Sequence, residues 1–351
     1  VLTTVSNEMQ PKNPNYRPTM RNVADLAGVG IKTVSRVMNN EPNVSEATRE
    51  RVLKATRQLN YQLDMAAGSL KRTDRKTMSI GLLLPNVANP FSSEINRAIE
   101  DIFNARGIAV FAASLDDDAA REASLITAFL GRRVDGLILT PIAANQAYLI
   151  PEHSRDLPMV FIDREPRGIE ADAVVTDNAE GARRAAAHLL ARGHTRFAYL
   201  GDRFDIQTAQ QRQNGFFTEL EKAGIDTGLV PTFNGVIDEE SARQIALGLI
   251  NSAEPPTAIF SAQNIVTFGV LHALKETGKN HEIALVGFDD FLMADMLEPG
   301  VTVIAQHPGE IGRIAAERLL ARIDGDEQPS KTYIVPSELI VRGSGEIPPA
   351  A

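Results

Sequence analysis

The chain has 351 residues, 43% apolar and 23% charged. That suits two or three globular domains and excludes collagen-like, low-complexity and wholly disordered chains. It holds no cysteine, which removes disulfides, thiolate metal sites, iron–sulfur clusters and thiol catalysis together and fits a reducing compartment. The net charge of −9 is unevenly spread. Residues 1–76 carry 13 Lys and Arg against 7 Asp and Glu, a net of +6, and the remainder carries 23 against 38, a net of −15. A small basic head on an acidic body is the pattern of a nucleic-acid-binding module joined to something else; the plain alternative is a basic solvated segment. No apolar run approaches the roughly 18 residues of a membrane span. The opening VLTTVSNEMQPKNPNY lacks the basic-then-apolar pattern of a secretory signal.

Residues 1–17 read as a polar, disordered leader with Pro11 and Pro14. Thr19 is placed to cap a short helix from Met20 to Ala27, with Val23, Leu26 and Ala27 on its buried side. Ala24 is small enough to let a second helix approach, and Gly28 supplies the turn. The second helix runs from about Ile31 to Asn39 with Val34, Val37 and Met38 inward. Ile31, Lys32, Ser35 and Arg36 are left on or near the outer face. Ser45 caps a third helix reaching about Asn60, striped by Val52, Ala55 and Leu59. Two short helices joined this way make a helix-turn-helix, whose second helix fits a major groove. Three short helices also form inert bundles, so spacing alone leaves that alternative open.

The runs PTMRNVADLAGVGIKTVSRVMNN and VSEATRERVLKATRQLNY closely resemble the headpiece of the lac repressor/galactose repressor family of bacterial transcription regulators. The resemblance implies a helix-turn-helix DNA-binding domain over 18–62 and a double-stranded, palindromic operator as partner. It places Ile31 and Lys32 at the base-choosing positions, with Lys32 on guanine and Ile31 on a thymine methyl. It puts Arg36 one turn further on, at base edges or phosphate. Thr19, Thr33, Ser35, Asn39, Ser45 and Thr48 become candidates for backbone contact; helix capping is the alternative for each Ser and Thr, and for Ser45 it is at least as good. Gly30 departs from the family's usual Ser, which removes one hydroxyl. Residues 63–76 correspond to the family's hinge, where Leu70 would wedge into the minor groove. Leu63, Asp64 and Gly68 depart from the family's Pro, Asn and Arg there. The alternative is a flexible basic tether through Lys71, Arg72, Arg75 and Lys76.

From Met78 onward short apolar runs (SIGLLLP, GIAVFAA, DGLILTP, MVFID, AVVTD, RFAYLG, AIFSA, IALVGF) alternate with amphipathic stretches of about 10–18 residues. That alternation means an α/β body with parallel sheets, which bind ligands beyond the carboxyl ends of their strands. The polar residues after each run are Asn86, Asn89-Pro90-Phe91, Thr140, Asp163-Arg164, Asp177-Asn178, Gln263-Asn264, Asp289-Asp290 and Gln306. Arg212 is read as opening a helix. Amides, carboxylates, two arginines and one aromatic suit a neutral polyhydroxylated ligand better than a phosphate or carboxylate. The alternatives are capping for Asp289-Asp290 and a fold-stabilising ion pair for Asp163-Arg164.

The body resembles the type I periplasmic binding protein fold, closest to the ribose-type sugar binders, through NPF, the Asp-Arg pair, VGFDD and AQHPGEIG. By that resemblance Asn89, Phe91, Asp163, Arg164, Arg212, Gln263, Asp289 and Gln306 line a cleft between two lobes. The N-lobe takes about 77–175 and 305–334, the C-lobe about 176–304 and 335–347. Ser92 stands where ribose-type binders often have a second aromatic. The expected fold is thus a two-lobed, periplasmic-binding-protein-like α/β core of parallel sheets behind an N-terminal all-α helix-turn-helix domain.

Catalysis finds no support. There is no glycine-rich nucleotide loop, no G-x-S-x-G elbow and no P-loop. The six histidines show no ligand spacing, and His188 and His194 read as surface residues. Neither a metal nor a cofactor is expected. The expectation is a cytoplasmic, homodimeric repressor of carbohydrate-utilisation genes, controlled by a small sugar. The ending GSGEIPPAA lacks the heptad tail of tetrameric members. A purine or protein co-effector is the nearest alternative, and a sugar-binding or sugar-processing protein without regulatory role the more distant one.

Overall fold

The computed structural model describes residues 18–38, 41–61, 76–153 and 157–350. The expected leader, Asn39, and the linker through Gly68 and Leu70 lie outside the described residues. The chain divides at Thr77–Met78 into two compact units.

The first unit holds α1 (Met20–Ala27), α2 (Ile31–Met38) and α3 (Glu46–Gln58). Thr19 caps α1 through a reciprocal box with Asn22. Gly28 ends the helix at φ 64, a left-handed conformation that a Cβ would resist. The core is Val23, Ala24 and Ala27 of α1, Val34 and Val37 of α2, and Val52 and Ala55 of α3. Leu26, expected inside, is 51% exposed. The small Ala24 and Ala27 let the other helices approach so closely that the buried stripe narrows past Leu26.

The second unit holds two six-stranded sheets. The first gathers β1 (Ser79–Leu84), β2 (Ala109–Ser114), β3 (Leu137–Leu139), β4 (Met159–Ile162) and β5 (Asp172–Thr176) in the order β5-β4-β3-β1-β2. β11 (Thr332–Val335) joins beside β5. All its pairings are parallel. The second gathers β6 (Phe197–Leu200), β7 (Thr232–Phe233), β8 (Ala258–Ser261), β9 (Ala284–Phe288) and β10 (Thr302–Ala305) in the order β10-β9-β8-β6-β7. β12 (Glu338–Ile340) adds the one antiparallel pairing, with β10.

The helices between are α4 (Pro90–Asn104), α5 (Ala119–Gly131), the single turn α6 (Ile150–His153), α7 (Asn178–Ala191), α8 (Gln207–Lys222), α9 (Glu239–Ile250), α10 (Asn264–Thr277) and α11 (Pro308–Ile323). Strands β1, β3, β4, β6, β8, β9 and β10 are buried throughout. This is why they read as unbroken apolar runs and not as alternation. Each lobe carries one apolar cluster on either face of its sheet.

The chain passes between the sheets near Asp177, Gln306 and Ser337. Asp177 accepts from the backbone N–H and the hydroxyl of Ser337, both at 2.6 Å, and Arg184 donates to the Ser337 carbonyl at 2.8 Å. Two of the three connections are thereby tied together. His194, expected at the surface, is 1% exposed. Its ring bonds Thr257 Oγ1 at 3.0 Å and the Ile347 carbonyl at 2.9 Å. His188 lies 2.8 Å from Glu346 with 11% of its side chain exposed. Both histidines, one on the helix and one in the loop after it, are covered by the returning C-terminal segment, a long-range contact that their local sequence does not signal.

Helices α7 and α8 meet at Gly215, where an added Cβ would sit 2.0 Å from the Ala179 carbonyl oxygen. Gly215→Ala should therefore destabilise the protein by about 1–3 kcal/mol. The measurement is a urea midpoint, and an unchanged midpoint contradicts this packing.

Candidate functional site

The head presents α2 outward. Ile31 is 41% exposed, and Lys32 and Arg36 are exposed beside it while Val34 and Val37 are buried. Thr33 and Ser35 are half-buried. The Arg36 guanidinium lies 3.8 Å from Glu41, an exposed pairing too loose to hold it. Thr19 is engaged as the α1 cap. Ser45 caps α3 by accepting from the Thr48 N–H, and its hydroxyl donates to Thr48 Oγ1 at 2.9 Å. Gly30 precedes α2, and a Cβ there would meet nothing within 4 Å. A helix with three adjacent exposed side chains, two of them cationic, on a rigid three-helix core is a shape that enters a major groove.

In the body, Asp163 follows β4 and Asp289 follows β9 in matching ways. Each has a left-handed backbone, φ 68 and φ 75. Each N–H reaches the neighbouring strand, Val174 O at 3.0 Å and Ile304 O at 2.9 Å. Such backbones are costly for non-glycine residues and persist where the surroundings impose them. Asp289 accepts from Gln306 Nε2 at 2.6 Å. Asp290 is occupied elsewhere, paired through both oxygens with Arg342.

Arg164 lies between Asp117 at 3.1 Å and Asp163 at 3.4 Å. Arg212 donates to Asn178 Oδ1 at 2.7 Å and the Ala262 carbonyl at 2.8 Å, and its guanidinium stacks 3.8 Å from the centre of the Phe288 ring. It sits in the second turn of α8, which starts at Gln207 and not at Arg212 as expected. Asp163, Arg164, Arg212, Asp289 and Gln306 are each at most 9% exposed. Burial pushes the Asp163 carboxyl above its ordinary range. Arg164 and Arg212 pull it down and Asp289 and Asp117 push it up, so groups of both lobes act on it.

Asn89 caps α4 and exchanges amide hydrogen bonds with Asn264, at 3.3 and 3.1 Å. The Glu165 N–H donates to Gln207 Oε1 at 2.8 Å. These bonds join the carboxyl ends of one sheet to those of the other. Phe91 is half-buried against the first lobe's core. Gln263 is half-buried and makes no side-chain cap, whereas its neighbour Asn264 is 1% exposed and faces Asn89. Thr140 Oγ1, Thr176 Oγ1, Arg164 Nε and Gln306 Oε1 are buried without hydrogen-bond partners, an unusual set for native polar atoms.

Sequence reasoning missed Asp117, Asp202 and Gln207. Asp202 follows β6 after one glycine, Gly201, so the rule that found Asp163 and Asp289 would have found it. Its carboxyl is also raised, by burial first and then by Asp117. No group of three or more acidic or histidine side chains among the described residues could hold a metal. No described helix is long and apolar enough to cross a membrane.

A helix-turn-helix head and a two-lobed, periplasmic-binding-protein-like body define a bacterial gene regulator. The family described as bacterial regulatory proteins, lacI family, matches residues 19–64, and a periplasmic binding protein-like domain matches 186–345. The ribose operon repressor of Halalkalibacterium halodurans is 31% identical over 92% of this chain and 96% of that protein. The transcriptional repressor PurR of Aliivibrio fischeri is 30% identical over 93% and 98%. The lac repressor dimer bound to operator and the anti-inducer ONPF superposes with a TM-score of 0.82 at 26% identity, covering 94% of this chain and 99% of that one. This chain belongs to the lacI family of DNA-binding transcriptional repressors.

The raised carboxyl of Asp163 carries a pH signature. A group with a folded pKa above its unfolded value favours folding fully below the unfolded pKa, and the contribution is lost as pH rises through the folded pKa. Asp163→Asn should therefore raise the ligand-free Tm at pH 7, with the gain vanishing as pH falls toward the ordinary Asp value of 3.8. A gain independent of pH, or a loss at pH 7, contradicts the assignment.

Proposed function

We propose that the protein is a homodimeric, cytoplasmic repressor whose hold on a palindromic operator is set by a sugar-like effector between its two lobes. The observation that supports this best is the shell of buried charged and amide groups at facing strand ends, with Asp163 and Asp289 in matching places. Carboxylates and amides there accept from hydroxyls, and Arg164 and Arg212 donate in fixed forks. Phe91 offers one apolar face.

In the head, Ile31, Lys32 and Arg36 read base edges, while Thr19, Thr33, Ser35, Ser45 and Thr48 set register on the backbone. For Thr19, Ser45 and Thr48 this comes in addition to the capping bonds they make. Asn39 and Leu70 keep the roles that the family resemblance gives them. Two heads on one dimer reach half-sites about one helical turn apart. The effector acts through its differential affinity for two lobe angles, a coupling of about 1–3 kcal/mol.

A purine effector would need stacking faces. Phe91 offers only one, and the face of Phe288 is covered by Arg212, so the sugar reading is the better supported one. The proposed target genes, those for carbohydrate use, follow from it.

Two substitutions separate the sites. Arg36→Ala should lower operator affinity by about 1–3 kcal/mol and leave effector affinity unaltered. Asp289→Ala should do the reverse. Fluorescence anisotropy reads the first, and a thermal-shift screen of sugars and nucleobases reads the second. An Asp289→Ala protein with normal effector response refutes the cleft assignment. Gly30→Ser has room for its side chain and should tighten operator binding; weaker binding would place Gly30 away from phosphate.

A further inference from the structure

Away from the chain crossings, two contacts among the described residues bond one lobe to the other. In the first, Asn89 before α4 and Asn264 at the start of α10 exchange amide bonds. Asn89 Nδ2 donates to Asn264 Oδ1 at 3.3 Å, and Asn264 Nδ2 donates to Asn89 Oδ1 at 3.1 Å. In the second, the Glu165 N–H beyond β4 donates to Oε1 of Gln207, the first residue of α8, at 2.8 Å.

Backbone donors fix which way the two asparagines face. The Phe91 N–H donates to Asn89 Oδ1 at 3.0 Å, and the Ile265 N–H to Asn264 Oδ1 at 2.8 Å. A backbone N–H can only donate, so the oxygen of each amide faces it and the nitrogen is left to donate across the divide. Both acceptor positions of Asn89 Oδ1 are thereby taken. A ligand reaches that amide only through its one remaining N–H.

The contacts also lie off the line about which the lobes would turn. The chain crosses between β5 and β11 in the first sheet and β10 and β12 in the second, which adjoin at one edge of each sheet. The bonded groups follow β1 and β4 on one side and β8 and β6 on the other, one to three strands further in. At about 4.8 Å per strand, that is on the order of 10 Å from the crossings. A lobe rotation of about 15° would separate the facing groups by about 2.5 Å, which breaks a hydrogen bond. Both contacts therefore exist at one lobe angle only.

We propose that the two contacts form a clasp that sets the balance of lobe angles before any effector binds, with Asn264 and Gln207 as its positioning residues. This rests on the reading above that lobe angle governs the grip on DNA. The two positions have different requirements. Residue 264 must donate, whereas residue 207 need only accept. Asn264→Asp still accepts from the Ile265 N–H and suits a helix start, but it sets an oxygen without a proton against Asn89 Oδ1. Gln207→Glu keeps the acceptor for the Glu165 N–H. Gln207→Met, similar in shape, loses it.

The experiment is fluorescence anisotropy of the full chain, without sugar, on a palindromic duplex selected from random-sequence DNA. Asn264→Asp and Gln207→Met should each shift operator affinity in the same direction by about threefold to fivefold, the weight of one neutral hydrogen bond. The double variant should move further the same way. Gln207→Glu should stay within about twofold of the unsubstituted chain, a contrast that a merely structural or charge effect would not produce. Where Asn264→Asp fails to fold, Gln207→Met against Gln207→Glu carries the test. A double variant with unaltered operator affinity overturns the clasp, and so does Gln207→Glu shifting as far as Gln207→Met. A selection that yields no preferred palindrome overturns the operator reading itself.

Discussion

The structure depends on burying charge at the facing ends of two parallel sheets. A buried carboxylate or guanidinium is tolerable only when other groups complete its solvation. Here the completion comes partly from each lobe: Asp163 feels Arg164 from its own lobe and Arg212 from the other. Asn89 and Asn264 satisfy each other across the divide. The energy of the shell therefore depends on how the lobes meet, and on the proposed reading an effector entering it changes which angle is favoured. A cleft lined by apolar groups alone would close with little discrimination between ligands.

The same constraint explains how a small ligand can act at a distance. The two lobes are joined by three chain segments, two of them fastened by Asp177, Ser337 and Arg184. On the proposed reading this fastening favours rotation about the waist, the hinge form of domain movement. Rigid cores on both faces of each sheet carry that rotation as a whole. In the head, α2 stands on α1 and α3 with its charged side outward. The charge map follows the same division: a basic head for a polyanion, and an acidic body that on the proposed reading holds a ligand donating hydrogen bonds.

Much of this was legible in the sequence for physical reasons. Strands buried on both faces read as apolar runs, and their alternation with amphipathic stretches fixes an α/β body. The head helices were visible through Thr19, Gly28 and Ser45, residues whose local chemistry starts or stops a helix whatever its surroundings. What failed depended on contacts far along the chain. His194 looks solvated in the loop after its helix, yet the carbonyl of Ile347 and the hydroxyl of Thr257 hold it. Leu26 has the right spacing for the core but lies beyond the edge of a stripe narrowed by alanines. Strands β7, β11 and β12 are short and partly exposed, so no apolar run announces them. Gln263 and Asn264 are adjacent amides, and only the extended backbone of Gln263, at φ −162, shows which one turns inward. Asp202 was readable and was overlooked.

The central claim is that occupancy of the cleft and grip on DNA share one free energy. The direct test is reciprocity: the affinity of a selected operator duplex measured without and with the best-binding sugar of a screen, and the affinity of that sugar measured without and with operator. The account predicts one and the same factor in both directions, between about 5 and 150. A sugar that binds equally well to free and DNA-bound protein, or an operator affinity that ignores a saturated cleft, would contradict it.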